Sequence, residues 1–220
     1  MKCAHVAACL LCLSVAAIAG QPDTLSAGTT AYEAHDFATA FADFRLAAGR
    51  GDAKAQFALD TMYAHGQGAP HDAAEAAKWI RLSAQRGFAP AQFLFGLMTE
   101  SGDGVRGNSA AGAGWIRLAA EHDYAPAQFQ LGQLYSETGQ GVEHSSTKAI
   151  KWYRLAAQHG YPSAQLQLGS AYYSGQGVPQ SYIKAGMWWA ATFVSAVRVI
   201  FNDARHETSA WWAAQHRRGN

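Results

Sequence analysis

Cysteine is scarce in this sequence, and its three copies all lie within the first 12 residues. They belong to the stretch MKCAHVAACLLCLSVAAIAG, which has Lys2, no acidic residue, an apolar run from Val6 to Ala19 and a final Ala-Ile-Ala. A basic start, a short apolar run and an A-x-A ending are typical of a cleavable signal peptide. The sequence therefore predicts a signal peptide over residues 1–19, cleaved after Ala19, and a periplasmic or secreted protein. An uncleaved anchor is the weaker alternative, because the run is too short to cross a bilayer comfortably.

Cleavage after Ala19 removes every cysteine, so the mature chain has no thiol for a disulfide, for thiolate catalysis or for a metal site. Charged residues are also few, at 15% of the chain. Without Lys2 the mature chain has 16 basic and 16 acidic residues. A protein that binds nucleic acid needs a basic surface. The sequence therefore predicts no nucleic-acid partner.

The loop SGDGVRGN at residues 101–108 has the G-x-G-x-x-G spacing of a dinucleotide-binding loop. That motif binds a nucleotide only between a buried strand and a helix. The preceding residues, AQFLFGLMTES, have helical apolar spacing and no enrichment in β-branched residues. Similar loops without the third glycine begin at residues 66, 139 and 175. The glycines are therefore predicted to form a turn, and no nucleotide or other cofactor is expected.

The chain repeats itself with a period of about 36 residues. The segment AKAQF at 53–57 recurs as APAQF at 89–93 and 125–129 and as PSAQL at 162–166, at offsets of 36, 36 and 37 residues. Within each unit the apolar residues follow helical spacing on both sides of the glycine loop. Each repeat is therefore predicted to be a helix, a turn and a second helix.

These segments resemble the Sel-like repeat family, a branch of the tetratricopeptide superfamily. The family pattern A-x-A-Q-x-x-L-G-x-x-Y, then G-x-G-V, then K-A-x-x-W-Y-x-x-A-A-x-x-G, is matched over about residues 36–191. The resemblance implies an all-α fold, a right-handed α/α superhelical solenoid of helix-turn-helix repeats of about 36 residues. It also implies a protein-binding scaffold.

The predicted domain organisation places a partial repeat at residues 20–51 before the full repeats. Four Sel-like repeats follow, predicted at residues 52–87, 88–123, 124–160 and 161–191. Residues 192–220 depart from the repeat and are predicted to cap the last exposed face of the solenoid. Docking of this segment to a partner or to a membrane interface is the alternative. Trp211 and Trp212 are the residues that a cap explains least well.

Glycines occur inside helices where they reduce helix propensity. Three of them share one column of the first helix, which predicts close approach by a neighbouring helix: Gly96, Gly132 and Gly169. The first repeat has Asp60 in that column, which makes its packing less regular. Gly112 and Gly114 lie in the second helix of the second repeat and are expected to weaken it. The tryptophans of the second helices, Trp152 among them, are expected to be buried core residues.

Two other columns of the first helix vary between repeats and share a helical face. Since first helices line the concave side in solenoids of this class, these columns predict a groove that binds an extended peptide or protein segment. The groove is apolar toward its N-terminal end and rich in glutamine toward its C-terminal end. Solvated helix positions without a binding role are the alternative. The eight positions are Ala58, Leu94, Gln130 and Gln167 in one column and Thr61, Leu97, Gln133 and Ser170 in the other.

Basic residues also recur at fixed positions in the second helices. One interpretation is a cationic stripe that binds an anionic partner. The other is structural: the second column stabilises helix C-termini, and the first column lies along the outer face of the helices. The neutral mature chain favours the structural interpretation. The two columns are Arg45, Arg81, Arg117 and Arg154, and Arg50, Arg86, His122 and His159.

The sequence has no G-x-S-x-G nucleophile motif and no H-E-x-x-H metal-binding motif. The sequence therefore predicts no catalytic, cofactor-binding or metal-binding residue. The prediction for function is an exported, non-catalytic protein–protein interaction scaffold or adaptor, with a protein or peptide partner. The alternative is an enzyme of the exported Sel-like repeat class that binds or hydrolyses a β-lactam or an envelope glycan.

Overall fold

The computed structural model describes residues 23–137, 141–194 and 197. Within these residues the chain forms ten α-helices and no strand, which confirms the all-α helical-repeat prediction. The predicted signal peptide and the C-terminal residues after 197, Trp211 and Trp212 among them, lie outside the described residues. The helices are α1 Thr24–Glu33, α2 Phe37–Gly49, α3 Ala53–His65, α4 Ala73–Gln85, α5 Ala89–Ser101, α6 Ser109–Glu121, α7 Ala125–Ser136, α8 Ser146–Gln158, α9 Pro162–Ser174 and α10, residues 182–194.

The chain divides into two compact units between Ala91 and Gln92, inside α5. In the first unit α1 packs on α2, α2 on α3 and α3 on α4. In the second unit α6 packs on α7, α7 on α8 and α8 on α9. Within each unit, these helices therefore pack on the helices that neighbour them in the chain, as a helix-turn-helix repeat requires.

Local sequence signals set where the helices begin and end. Asp72 is the N-cap of α4, and its carboxylate accepts hydrogen bonds from the backbone N–H groups of Ala74 and Glu75. Gly66 ends α3 in the left-handed conformation, with φ 65°. The second basic column supplies the C-cap residues of α2, α4, α6 and α8, and the two arginines among them complement the helix dipole. These C-caps are Arg50, Arg86, His122 and His159.

The repeated glutamine of the A-x-A-Q segment is buried, and its side chain donates a hydrogen bond to a backbone carbonyl in the last turn of the preceding second helix. In three repeats its amide Nε2 donates to the carbonyl of the penultimate helical residue, at 3.2–3.3 Å. Carbonyls in the last turn of a helix have no partner within the helix. The glutamine therefore fixes each first helix against the end of the helix before it. The pairs are Gln56 with Ala48, Gln128 with Ala120, and Gln165 with Ala157.

The glycine column packs against large side chains of the following second helix, which confirms the predicted close approach. A Cβ on Gly96 would lie 2.8 Å from Cγ1 of Ile116, and one on Gly132 would lie 2.5 Å from the ring of Tyr153. Gly169 meets the indole of Trp189 in the same way. The glycines therefore leave the space that these side chains fill.

The expectation that the tryptophan column is buried core is wrong. Trp152 and its equivalents are half-buried, and in the first three repeats the buried column is the next residue along the helix. Successive side chains of an α-helix are rotated by about 100° around its axis. This rotation directs Ile80, Ile116 and Tyr153 at the preceding first helix. The tryptophans therefore flank the core.

Asp123 stands at the end of α6 with φ 58°, in the left-handed region that favours glycine. The same column holds Gly51, Gly87 and Gly160 in the other repeats, also at positive φ. We expect Asp123→Gly to raise the free energy of unfolding by about 0.5–1 kcal/mol, because it relieves this strain. Calorimetric melting checks this.

The reverse change, Gly160→Asp, provides the matched control. A Cβ at Gly160 would have no heavy atom within 4 Å, so only the backbone conformation opposes the substitution. The melting temperature should therefore fall by about as much as Asp123→Gly raises it. A lower melting temperature for Asp123→Gly would contradict the argument.

Candidate functional site

The second unit contains a cavity of about 500 Å³ lined by α7, α8, α9, the loop after α9 and α10. The chemical groups that line it are mainly neutral: hydroxyls, side-chain amides and aromatic rings. The lining residues are Gln133, Ser136, Glu137, Ser146, Ala149, Ile150, Tyr153, Gln167, Ser170, Ala171, Tyr173, Ser174, Gln176 and Trp189.

Three residues of the predicted groove line this cavity: Gln133 on α7, and Gln167 and Ser170 on α9. Leu94, Leu97 and Gln130 belong to the same unit and are half-buried, but they are not part of the lining. The binding role of all these positions stays a prediction.

The other two groove positions, Ala58 and Thr61, lie on α3 in the first unit. Ala58 lines a separate cavity of about 370 Å³, together with residues of α1, α2 and α3. The Thr61 hydroxyl donates to the carbonyl of Phe57 on its own helix, at 3.3 Å.

The apolar side of the cavity comes from α8. Ala149, Ile150 and Tyr153 are buried, because this face of the helix carries the repeated core positions. The Tyr153 hydroxyl lies 3.2 Å from the Ser136 hydroxyl, which donates to the carbonyl of Gln133 at 2.8 Å. These contacts join the core of α8 to the last turn of α7.

Two exposed aromatic rings also line the cavity. Tyr173 is 54% exposed and Trp189 is 40% exposed, and their ring centroids lie 5.8 Å apart. Trp189 is held against α9 because Gly169 has no side chain there. Large aromatic surfaces that remain exposed are typical of binding sites.

Three side-chain amides of the lining are available to a ligand: those of Gln133, Gln167 and Gln176. In the part of the chain that the structure describes, none of them hydrogen-bonds to another protein group. Each amide offers two donors and one acceptor oxygen. The cavity can therefore form several neutral hydrogen bonds at once.

Glu137 gives the site its charge. Burial raises the pKa of Glu100, and the negative charge of Glu137 raises that pKa further. Burial also raises the pKa of Tyr153; its hydrogen bond with Ser136 opposes this rise, and the negative charge of Glu137 adds to it. The charge of Glu137 therefore acts on Glu100 and on Tyr153.

The sequence reasoning missed the aromatic residues of this site and the contribution of α10. Tyr153 and Trp189 share one column of the repeat with Ile80 and Ile116, and the change from isoleucine to aromatic residues along that column was the available signal. Gln176 comes from a glycine loop that sequence reasoning treated only as a turn.

Two Ser-x-x-Lys spacings test the hydrolase alternative, because this motif supplies the nucleophile of β-lactam-recognising enzymes. Ser145 and Ser181 each precede a lysine by three residues, but each serine accepts the backbone N–H of that lysine as a helix cap. The ammonium groups of Lys148 and Lys184 lie over the rings of Tyr135 and Tyr172 instead. Neither pair has the arrangement of a nucleophile and a base.

The first basic column makes intramolecular contacts in the second unit. Arg117 donates to the hydroxyl of Tyr135 at 3.1 Å, and Arg154 donates to the hydroxyl of Tyr172 at 3.3 Å. Each arginine thus contacts the next helix, which favours the structural interpretation. In the described ranges, no cluster of three or more potential ligand side chains could hold a metal ion. Over the same residues, none of the helices combines the length and the apolar character needed to span a membrane.

The fold and the repeated contacts define an all-α helical-repeat protein. The Sel1 repeat family matches residues 53–88, 89–124, 125–161 and 162–191, well over half of the chain. The chain therefore belongs to the Sel1 repeat family. Sel1 repeat proteins generally act as non-catalytic scaffolds that bind protein partners.

Two solved structures are similar to this chain. One is a Sel1 repeat protein from Oxalobacter formigenes, with 31% identity, a TM-score of 0.71 and coverage of 78% of this chain and 69% of that one. The other is c5321, described as a protective antigen present in uropathogenic Escherichia coli strains and displaying an SLR fold, with 35% identity and a TM-score of 0.65. That match covers 69% of this chain and 32% of c5321, so the chain spans about a third of its length. A search of the curated proteins finds no match.

Proposed function

We propose that the mature protein is exported to the periplasm or secreted, and that it acts there as a non-catalytic scaffold that binds an extended segment of a partner protein. The cavity between α7, α8, α9 and α10 carries this proposal. An extended segment presents one N–H donor and one carbonyl acceptor per residue. The amides of Gln133, Gln167 and Gln176 match both groups, and the rings of Tyr173 and Trp189 offer surface to a side chain.

Export rests on the sequence of residues 1–19, which has the parts of a cleavable signal peptide. A lack of catalysis is supported by the mainly neutral lining and by the capping role of Ser145 and Ser181. Binding of an envelope glycan is a second candidate, because exposed aromatic rings and free amides also suit a sugar. The observation that favours it is the pair Tyr173 and Trp189.

Affinity capture from an envelope extract tests the scaffold proposal. The full chain, produced with its own N-terminus, should be recovered from the periplasm or the medium with Gly20 as its first residue. This protein should retain a partner that Ser170→Trp loses, because an indole at the exposed Ser170 fills the cavity.

Ser163→Trp is the matched control, since Ser163 is an exposed serine on the same helix and lies outside the cavity. It should retain the partner as the parent protein does. Capture of the same proteins by the parent, Ser163→Trp and Ser170→Trp would refute binding at this cavity. Recovery of the chain from the cytosol with Met1 intact would refute export.

A further inference from the structure

The outer face of α10 differs in chemistry from that of the earlier second helices. Four columns of the second helix are exposed in α4, α6 and α8, and polar or charged residues fill most of them. One of these columns is arginine in all three helices, and another is lysine in two of them. In α10 all four columns are apolar and exposed. These four residues, termed the outer stripe, are Ile183, Met187, Ala190 and Val194.

The outer stripe leaves large apolar side chains in contact with water. Ile183 is 80% exposed, Met187 is 66% exposed and Val194 is 65% exposed. A terminal repeat of a solenoid needs a polar outer face, because that face remains in water. Contiguous apolar surface that stays exposed is typical of an interaction site. The composition of the stripe therefore indicates that another molecule covers it.

The stripe has the spacing of a seam between two helices. Its residues follow one another at intervals of four, three and four positions. This alternation keeps the side chains on one side of a helix, and it is the pattern through which two helices pair along their length. The spacing therefore favours another helix with an apolar stripe of the same length as the occupant.

Antiparallel pairing of two α10 helices matches the stripe to itself. Positions 183 and 194 have the same midpoint as positions 187 and 190, so a two-fold axis between residues 188 and 189 brings both pairs into register. Met187 of one copy then faces Ala190 of the other, whose small side chain leaves room for the longer one. Ile183 faces Val194 in the same way. A patch that is complementary to itself is what a two-fold dimer requires.

The charges on α10 do not oppose this pairing. Residues 182–194 contain no acidic residue and one basic residue, Lys184. The ammonium of Lys184 lies 5.4 Å from the ring centroid of Tyr172 on α9, so this cation contacts its own unit. Two copies can therefore approach without like charges in the stripe. The interfaces of homodimers are also more apolar than the rest of the protein surface.

We propose that two copies of this protein associate through their outer stripes, with the two α10 helices antiparallel. One helix face from each copy makes a small interface, so we expect a dissociation constant on the order of 10 µM. This inference goes beyond the proposed function and does not depend on it. None of the four stripe residues lines the cavity, so a dimer offers two cavities to partner segments.

Sedimentation velocity of the purified protein, at concentrations from about 1 to about 300 µM, tests the inference. The parent protein should change from monomer to dimer across this range. Met187→Lys and Val194→Glu should each raise the dissociation constant about tenfold or more, because pairing would bury a charge against an apolar helix. Lys151 and Glu121 occupy the same columns in earlier helices, so both variants should fold. Circular dichroism melting checks their folding.

A mixing experiment tests the antiparallel register. Ala190→Glu should also weaken self-association, but a mixture with Met187→Lys should associate about tenfold more tightly than either variant alone. Antiparallel pairing places the new lysine beside the new glutamate and leaves the second pair of positions unchanged. The matched control is Leu118→Lys, because Leu118 is an exposed apolar residue on the second helix α6. It should dimerise as the parent protein does.

A parent protein that stays monomeric at every concentration would overturn the inference. So would a dimer that persists in both Met187→Lys and Val194→Glu, or one that Leu118→Lys weakens equally. Failure of the mixture to associate would overturn the antiparallel pairing. Monomeric protein that sediments with phosphatidylglycerol vesicles would overturn the dimer in favour of a lipid surface. The scaffold proposal is judged separately by the Ser170→Trp capture.

Discussion

Gly112→Ala is expected to lower the free energy of unfolding by about 1–3 kcal/mol, whereas Gly114→Ala should raise it by about 0.5–1 kcal/mol. The two glycines lie two residues apart on α6, and sequence reasoning expected both to weaken the helix. The structure separates them, because one is buried against α5 and the other is exposed.

The opposite signs follow from what a new methyl group would meet. A Cβ on Gly112 would lie 2.8 Å from the carbonyl oxygen of Gly96 and 2.9 Å from the backbone nitrogen of Glu100. Backbone atoms inside a helix cannot move aside as a flexible side chain can, so α5 and α6 must separate. A Cβ on Gly114 would have no heavy atom within 4 Å, and alanine there gains helix propensity at no steric cost.

Urea unfolding of the parent and of the two variants measures both effects, with circular dichroism as the probe. The variants are matched controls for each other, because the same substitution is made in the same helix. Stabilisation by both alanines would mean that α5 and α6 do not approach as described. Destabilisation by both would mean that Gly114 has a contact partner.

Asp60→Asn is expected to stabilise the protein at pH 7 by up to about 3 kcal/mol and to leave its stability near pH 4 almost unchanged. Asp60 occupies the glycine column of the first repeat and is only 6% exposed. Burial raises its pKa from 3.8 to about 6, although the nearby charge of His65 opposes the rise. An asparagine has nearly the same shape and carries no charge to bury.

The direction of the pH dependence follows from proton uptake. Between pH 4 and pH 6 the folded chain holds a proton on Asp60 that the unfolded chain has released, so this group favours folding at the acid end. The contribution is fully present below the unfolded pKa of 3.8 and is lost as the pH rises through the folded value of about 6. The stability of the parent protein should therefore fall across this window relative to Asp60→Asn.

Urea unfolding at several pH values from 4 to 7 checks this prediction, with the difference between the two proteins plotted against pH. That difference isolates Asp60, because the other titrating groups are common to both proteins. Asp103→Asn is the control: Asp103 is exposed in the loop after α5, and its removal should change stability by no more than about 0.5 kcal/mol. Parallel stability curves for the parent and Asp60→Asn would refute a raised pKa for the buried Asp60 carboxyl.

The helical architecture was predictable because its signals are local and repeated. Apolar spacing marks a helix face, glycine marks its end, and the A-x-A-Q segment fixes the period. The buried residues Leu59, Leu131 and Leu168 fall where that spacing puts them. Sequence reasoning therefore predicted the fold from patterns within about 36 residues.

The candidate site was only partly predictable, because residues of several repeats and of one loop build it. Periodicity predicted that Gln133, Gln167 and Ser170 share a helical face, but it could not show that they border a cavity. The depth of the cavity depends on the size of the side chains on the facing helices. The spacing of residues along one helix gives no information about that size. The degree of burial of Trp152 was missed for a related reason: a rotation of one residue decides whether a large side chain enters the core or flanks it.

The buried glutamines have a consequence for how proteins of this kind change in length. Gln128 and Gln165 make the same contact with the helix that precedes them, and Gln56 repeats it in the first unit. A junction that recurs in this way lets a stretch of 36 or 37 residues be duplicated or deleted without a new type of contact between helices. Chains of very different lengths can thus arise from one ancestral unit by unequal recombination, and each copy then diverges at the positions that no junction uses.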